Sequence, residues 1–166
     1  MRTVVVIAHN LRSSHNVGSL LRTAEGLGVA RVYLTGYTPH PITPTDRRLP
    51  HIARKVDNAI HKTALGAEHA QDWIYEPEVG DVVRTLREQG YRIYALEQHP
   101  DSILLPTWKP DGMIALVLGR EVEGVEPEVM AMSDAFLEIP MAGAKESYNV
   151  TQAAAMALYH AIHWHA

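Results

Sequence analysis

Residues 134–166, DAFLEIPMAGAKESYNVTQAAAMALYHAIHWHA, decide how the chain is read. Residues 136–139 form a short apolar run of strand length, and Pro140, which has no N–H to give to a ladder, ends it. A small-residue loop, Ala142, Gly143 and Ala144, leads into the polar cluster Lys145, Glu146, Ser147, Tyr148 and Asn149. An alanine-rich helical segment follows. Strand, tight loop, polar cluster and helix in that order place a small-molecule site at the carboxyl end of a parallel strand. The helix carries Ala153, Ala154, Ala155, Met156, Leu158, Tyr159, Ile162 and Trp164, apolar over more than one face. One monomer core needs only one stripe. The surplus is available to pack against a partner, with a fully buried helix as the alternative.

Outward from that segment the pattern alternates between strand and helix. Residues 3–8 (TVVVIA) are a β-branched run of strand length, and residues 31–35 (RVYLT) are a second. Between them Val17, Leu20, Leu21, Ala24 and Leu27 fall on one helical face, with Asn16 suited to the N-cap and Gly28 to the position past the end. Strand, helix and strand within about thirty residues make a parallel, right-handed βαβ unit. Residues 36–50 hold four prolines and cannot be regular. So long a connector suggests a functional loop, and its basic residues continue into the helix-like stretch 52–65. Further strands are expected at 73–75, 91–96 and 113–118, with a minor edge strand or turn at 102–105 and helices at 79–89 and 127–132. The continuous apolar run 113–118 (MIALVL) suits a central parallel strand covered on both faces. The expected architecture is α/β: a mostly parallel sheet of five or six strands flanked by helices.

Composition narrows the function classes. A chain of 166 residues is one domain by length. It has no cysteine, which excludes disulfides, thiolate metal sites and cysteine nucleophiles, and is compatible with a reducing cytoplasm. No apolar run approaches the ~18 residues of a membrane span, so no membrane partner is expected. The net charge of −4 means that any surface for nucleic acid must be local. The loop and helix residues Arg47, Arg48, Arg54 and Lys55, with Arg12, are candidates for phosphate contact; solvated surface charge is the alternative. The common dinucleotide, P-loop and nucleophile-elbow fingerprints are missing. His160, His163 and His165 crowd the terminal helix without a carboxylate partner, so they read as surface residues and no metal is expected.

Three clusters remain. Asn16, Gly18 and Arg22 could be a capped helix with a solvent-facing arginine. Gly119, Glu121 and Gly124 could be a charged turn, yet a glycine at the tip of a central parallel strand lets a ligand approach the backbone. Ile139, Pro140 and Met141, followed by Ser147, Tyr148, Asn149 and Val150, could be simple helix capping. In this order and at these separations the three match N-x-G-x-x-x-R, G-x-E-x-x-G and I-P-M…S-[LM]-N-V. The chain thereby resembles, over essentially its whole length, the SpoU-type (TrmH-like) RNA ribose methyltransferases of the SPOUT superfamily. Tyr148 departs from the usual Leu or Met.

The resemblance implies methyl transfer from S-adenosylmethionine to a ribose 2′-hydroxyl of tRNA or rRNA. It implies a carboxyl-terminal deep trefoil knot, which runs against the rule that chains are unknotted, and a cytoplasmic homodimer with the site near the subunit interface. The cofactor would be held largely by backbone groups around Leu96, Gly119, Ile139 and Met141, with Ser147 and Tyr148 closing over it. Arg22 would clamp the RNA phosphate and ribose, because a guanidinium stays protonated and is a poor general base. Asn16 and Ser147 would position backbone and substrate, while Glu121 and Asn149 would orient Arg22 and the neighbouring loops. A single catalytic domain over 1–166, without a separate amino-terminal RNA-binding domain, is expected. The alternatives are a catalytically silent RNA-binding scaffold of the same fold, a base-nitrogen RNA methyltransferase, and an unrelated flavodoxin-like binding protein.

Overall fold

The computed structural model describes residues 2–165; Met1 and Ala166, the ends of the expected domain, lie outside the described residues. The chain begins with strand β1 (Thr3–His9) and helix α1 (Ser14–Leu27), whose Val17, Leu20, Leu21 and Ala24 are buried as the periodicity requires. The N-cap of α1 is Ser13, whose hydroxyl accepts the Asn16 N–H at 3.2 Å. Asn16 therefore lies inside the first turn, and its expected capping role is corrected. A serine three residues earlier satisfies the orphan N–H and leaves the asparagine amide free for other partners. Gly28 follows the helix in the left-handed region, φ 73°, as its lack of a Cβ allows.

Strand β2 (Arg31–Thr35) precedes the proline-rich loop, and helix α2 (Pro50–Ala64) starts with proline in its first turn, where no N–H is needed. A short helix α3 (Ala67–Ala70), absent from the sequence reading, precedes β3 (Trp73–Glu76). Then come α4 (Val79–Glu88), β4 (Arg92–Leu96), β5 (Ile103–Leu104) and a single 3-10 turn at Leu105–Thr107. Strand β6 (Met113–Leu118), α5 (Pro127–Ala131), β7 (Ala135–Glu138) and α6 (Val150–His163) complete the order.

The seven strands form one sheet in the order β3-β2-β1-β6-β4-β7-β5, with every strand pair parallel. The seventh strand is the two-residue β5, too short to show a period. Both faces of the sheet are covered, which explains the continuous apolar runs. On β1, Val4, Val6 and Ala8 join the core under α1, α2 and α6, whereas Val5 and Ile7 join Val82, Val83 and Leu86 of α4 on the other face. Each such fully buried Val, Leu or Ile contributes about 1.5–3 kcal/mol by leaving water.

Gly18 lets α1 and α2 touch: a Cβ there would lie 2.2 Å from the Ile60 carbonyl oxygen and 2.3 Å from Thr63 Oγ1. Helix α6 packs on α1 and on β1, β6 and β4, burying Ala154, Ala157, Leu158 and Ala161. Because the strands are parallel, the carboxyl ends of β4, β6 and β7 share one edge, and the loops leaving them face one another.

Candidate active site

Those three loops and the start of α6 enclose a cleft of about 240 Å³. All six residues expected to hold a cofactor, Leu96, Gly119, Ile139, Met141, Ser147 and Tyr148, line it. After β6 the chain doubles back: Arg120 and Gly124 exchange backbone N–H to carbonyl bonds, each 3.0 Å. The turn is possible because two glycines sit where backbones nearly touch. A Cβ on Gly119 would lie 2.3 Å from the Gly124 carbonyl carbon and the Val125 nitrogen. Gly124 has φ 76°, and its Cβ would meet Glu97 Oε2 at 2.0 Å. That oxygen accepts the Val125 N–H at 2.9 Å, joining the loop after β4 to the loop after β6. Gln98 donates its side-chain N–H to the Glu146 carbonyl at 2.6 Å, joining the loop after β4 to the third.

The rim is a side-chain network between segments far apart in sequence. Glu121 accepts the Arg12 N–H at 3.0 Å, the Ser13 N–H at 3.0 Å and the Asn16 amide N–H at 3.0 Å. Burial works against its charge, but these donors outweigh burial and hold the carboxyl below its ordinary value. Its oxygens are thus occupied as acceptors, and Glu121 is an anchor. Asn149 donates to Asn16 Oδ1 at 3.3 Å, and its own Oδ1 caps α6 by accepting the Thr151 N–H at 2.9 Å. Capping and site-building coincide in this residue. The Arg12 guanidinium pairs with Glu123 at 2.6 Å on the same rim.

Arg22 is placed elsewhere. It follows Asn16 by six residues on α1, about 240° around the helix, and is exposed. It lines a separate recess with Ser19, Thr23, Lys62, Thr63 and Leu65. The expected contact from Glu121 or Asn149 to Arg22 is not made within the chain, because those side chains are bound to Asn16 on another helix face. Among the described residues neither the Arg22 nor the Lys62 side chain has a hydrogen bond or ion pair.

The basic loop divides in two. Arg48 is turned inward: it is paired with Asp46, its Nε donates to Asp46 Oδ1 at 2.9 Å, and Nη1 donates to the His40 carbonyl at 3.0 Å. Chiefly through the hydrogen bond from this guanidinium, the Asp46 carboxyl is held far below the usual carboxylate range. Arg48 is therefore a pin of the loop, and its guanidinium is already engaged. Arg47, Arg54 and Lys55 are exposed. Arg47 lines a groove of about 650 Å³ with Tyr37, His40 and Tyr75.

A buried polar cluster behind the turn escaped the sequence reading. His9 Nδ1 lies 2.9 Å from Thr35 Oγ1, and the Asn10 amide donates to Glu126 Oε1 at 2.8 Å. Arg120 Nε, buried without a hydrogen bond, lies 3.6 Å from Glu126 Oε1. Burial lowers the His9 pKa, with Glu126 opposing and Arg120 assisting. The signal was two polar residues, His9 and Asn10, directly after an apolar strand. Of the terminal histidines, His160 uses Nε2 on the Trp108 carbonyl at 2.8 Å, a packing role. No helix of the described residues is long and apolar enough to cross a membrane.

Residues 3–159 match the model of the SpoU rRNA Methylase family. The chain is 29% identical over 161 residues to the tRNA (guanosine(18)-2′-O)-methyltransferase of Thermus thermophilus, covering 95% of this chain and 73% of that protein. It is 28% identical to the 23S rRNA (guanosine-2′-O-)-methyltransferase RlmB of Vibrio parahaemolyticus, covering 96% of this chain and 58% of the relative. The AdoMet-bound rRNA methyltransferase from Sinorhizobium meliloti shares the fold, with TM-score 0.80 and 23% identity over 96% of this chain and 55% of that one. Against the rRNA relatives, then, the chain spans rather more than half their length.

Proposed function

Because this chain belongs to the SpoU rRNA methylase family, we propose that it transfers a methyl group from S-adenosylmethionine to a ribose 2′-hydroxyl of tRNA or rRNA. One observation carries the proposal. Asn16, Glu121 and Asn149, from three separated motifs, are bonded to one another at the rim of a cleft lined by all six expected cofactor residues. The names of the relatives, guanosine 2′-O-methyltransferases of tRNA and of 23S rRNA, agree in reaction and differ in RNA.

The cleft fits such a cofactor. Leu96, Leu137 and Ile139 offer apolar walls, and the loop backbones offer donors and acceptors for an adenine edge. Gly119 would let the ligand approach the main chain, Met141 and Ser147 would flank it, and Tyr148 would close over it. When bound, S-adenosylmethionine supplies a methyl group made electrophilic by a positively charged sulfur. The trefoil knot belongs to the same proposal. It is supported by the insertion of β7 between β4 and β5 and by the return of α6 onto β1.

Arg22 and Lys62 are neighbouring cations without an ion-pair partner among the described residues, the arrangement a phosphate needs. Arg22 fixes the phosphate and ribose and stabilises negative charge growing on the 2′-oxygen. The proton leaves to a phosphate oxygen or water, because the oxygens of Glu121 already accept three N–H groups. Since Arg22 lies outside the cleft of its own chain, a homodimer would complete the site by bringing the Arg22 of a second copy to it. The exposed face of α6, with Tyr159 61% exposed, offers a surface for that partner. Arg47, Arg54 and Lys55 would extend the phosphate track, joined by Arg12 on exchanging its exposed pairing with Glu123 for a phosphate. The proposed compartment is the cytoplasm, where tRNA and rRNA are met.

Incubation with isotopically labelled S-adenosylmethionine and total RNA, followed by mass spectrometry, should locate label on a ribose 2′-oxygen. Cofactor binding without label in RNA would favour the silent-scaffold reading, and label on a base nitrogen would favour the base branch. Arg22→Ala should abolish transfer while calorimetric cofactor affinity is unchanged; loss of cofactor binding would overturn its role. Mixing inactive Arg22→Ala chains with Gly119→Ala chains, at a cofactor concentration too low to load the latter, should restore roughly one quarter of wild-type activity if one intact site forms per mixed dimer. No recovery, with subunit exchange demonstrated, would overturn completion across the dimer.

A further inference from the structure

We infer that His61, Glu68 and His69 form a binding site for a divalent transition-metal ion of the zinc type at the corner between α2 and α3. The inference is independent of the methyl-transfer reading. It also departs from the expectation of no metal, which weighed only the histidines of the terminal helix.

The donor atoms already converge. His61 Nδ1 lies 2.5 Å from Glu68 Oε1, and His69 Nε2 lies 3.5 Å from the same oxygen. One donor atom from each residue falls within 4.8 Å of the others, the only such three-residue group among the described residues. Ligand atoms around a tetrahedral zinc, with bonds of about 2.0–2.1 Å, stand about 3.3 Å apart. The His69 separation matches that spacing. The His61 separation must open by about 0.8 Å, a small swing for a side chain that is 60% exposed.

The carboxylate makes the cluster more than a surface coincidence. Glu68 keeps only 4% of its side chain exposed, and among the described residues no lysine or arginine lies within 4.0 Å of it. Buried charges in proteins are paired or bind metal. Here the only countercharges come from two imidazoles, which carry charge only when protonated. The Gly66 N–H, donating at 2.9 Å to Oε2, fixes the carboxylate so that Oε1 faces the two imidazoles.

The backbone arranges the approach. Leu65 at φ 52° and Gly66 at φ 100° reverse the chain so that α3 returns Glu68 and His69 to the last turn of α2. A leucine in the left-handed region costs about 1–2 kcal/mol. The Trp73 indole N–H bonds the Glu68 carbonyl at 2.9 Å and anchors α3 to β3. The carboxyl end of α2 carries the negative end of the helix dipole, which favours a cation. Two imidazoles and one carboxylate select zinc-like ions over magnesium or calcium, which prefer oxygen donors. His61 and His69 are exposed to solvent, which would supply a water as the fourth ligand. A bound ion would lock the α2–α3 corner and so the segment of α2 that Gly18 packs against.

The test uses the full chain, treated with chelator and dialysed, titrated with zinc chloride in a calorimeter and heated with and without zinc. One equivalent of zinc should bind and raise Tm. His69→Ala, at an 80% exposed side chain where folding is insensitive, should weaken binding at least tenfold and abolish the rise. His61→Ala should do the same, and Glu68→Gln should follow wherever it folds. A control variant, His163→Ala with His165→Ala, should bind as wild type. Absence of zinc binding, unchanged affinity in His69→Ala and His61→Ala, loss in the terminal-histidine control, or equal binding of magnesium would each overturn the inference.

Discussion

Replacing Gly119 by alanine tests the architecture of the cleft most directly. The added Cβ meets backbone on its opposed side, 2.3 Å from the Gly124 carbonyl carbon and from the Val125 nitrogen. No flexible side chain can yield there, so the turn must open. Opening it loses the two Arg120/Gly124 hydrogen bonds, about 0.5–1.5 kcal/mol each. Residual overpacking adds about 1–3 kcal/mol, so the total is on the order of 3 kcal/mol. For a chain of this size that lowers Tm by roughly 6–12 °C. The cleft wall moves with the turn, and cofactor affinity should drop at least tenfold. The matched control is Gly26→Ala, in the last turn of α1, where a Cβ meets nothing within 4 Å. It should gain about 0.5–1 kcal/mol through reduced chain entropy. Differential scanning calorimetry and titration with S-adenosylmethionine read both variants. A Gly119→Ala protein with wild-type Tm and wild-type affinity would refute the close approach.

Three further outcomes follow from the network, the loop and the buried polar groups. Asn16→Ala removes one of three N–H donors to Glu121, so urea denaturation should show a loss of about 1–2 kcal/mol. Asn16→Asp, which sets a carboxylate against a carboxylate, should be worse, and greater stability than the alanine variant would contradict the assigned bond. Arg48→Ala should lower Tm, whereas Arg47→Ala should leave Tm alone and reduce the salt slope of RNA binding by about one; the reverse pattern would show that the loop is read backwards. In acid, His9 has a native pKa below its ordinary value, so the unfolded chain takes up its proton first. Its contribution is full above about pH 6.5 and is lost as pH falls below that toward the native pKa. Glu121 and Glu126, with lowered pKa values, contribute above about pH 4.5 and lose that contribution further down. Tm should therefore decline steadily below pH 6.5, with His9→Gln reducing the first part of the decline; a flat profile to pH 5 would exclude this account.

The strands and their parallel pairing were legible because a strand covered on both faces is a continuous apolar run, as at residues 113–118. The edge strand β5 was legible only as a minor edge strand or turn, and the four-residue α3 was not legible at all, since neither is long enough to carry a period. Gly119 and Pro140, directly after strands, marked two of the loops that line the cleft; the loop after Leu96 was expected only from the family resemblance. Arg22 was legible as a motif residue but not in place, because the spacing from Asn16 fixes the helix face and not what covers it. Asn16 was mistaken for a cap because Ser13 is an equally good one. The partnership of Asn10 with Glu126 spans 116 residues and leaves no local trace. Arg48 resembled its neighbour Arg47, and only the fold shows that one faces Asp46 and the other water.

The position of β1 inside the sheet, between β2 and β6, has a kinetic consequence. Its partner on one side is β2, a short loop and one helix away, but on the other side Thr3 is in register with Met113. Until residues 113–118 are available, the VVVI run of β1 presents an unpaired hydrogen-bonding edge. Pairings so distant in sequence slow folding, and an apolar strand edge left open is a template for pairing with other chains. Refolding yield should therefore fall with protein concentration, and a fragment that stops before β6 should aggregate instead of remaining as a soluble half-domain.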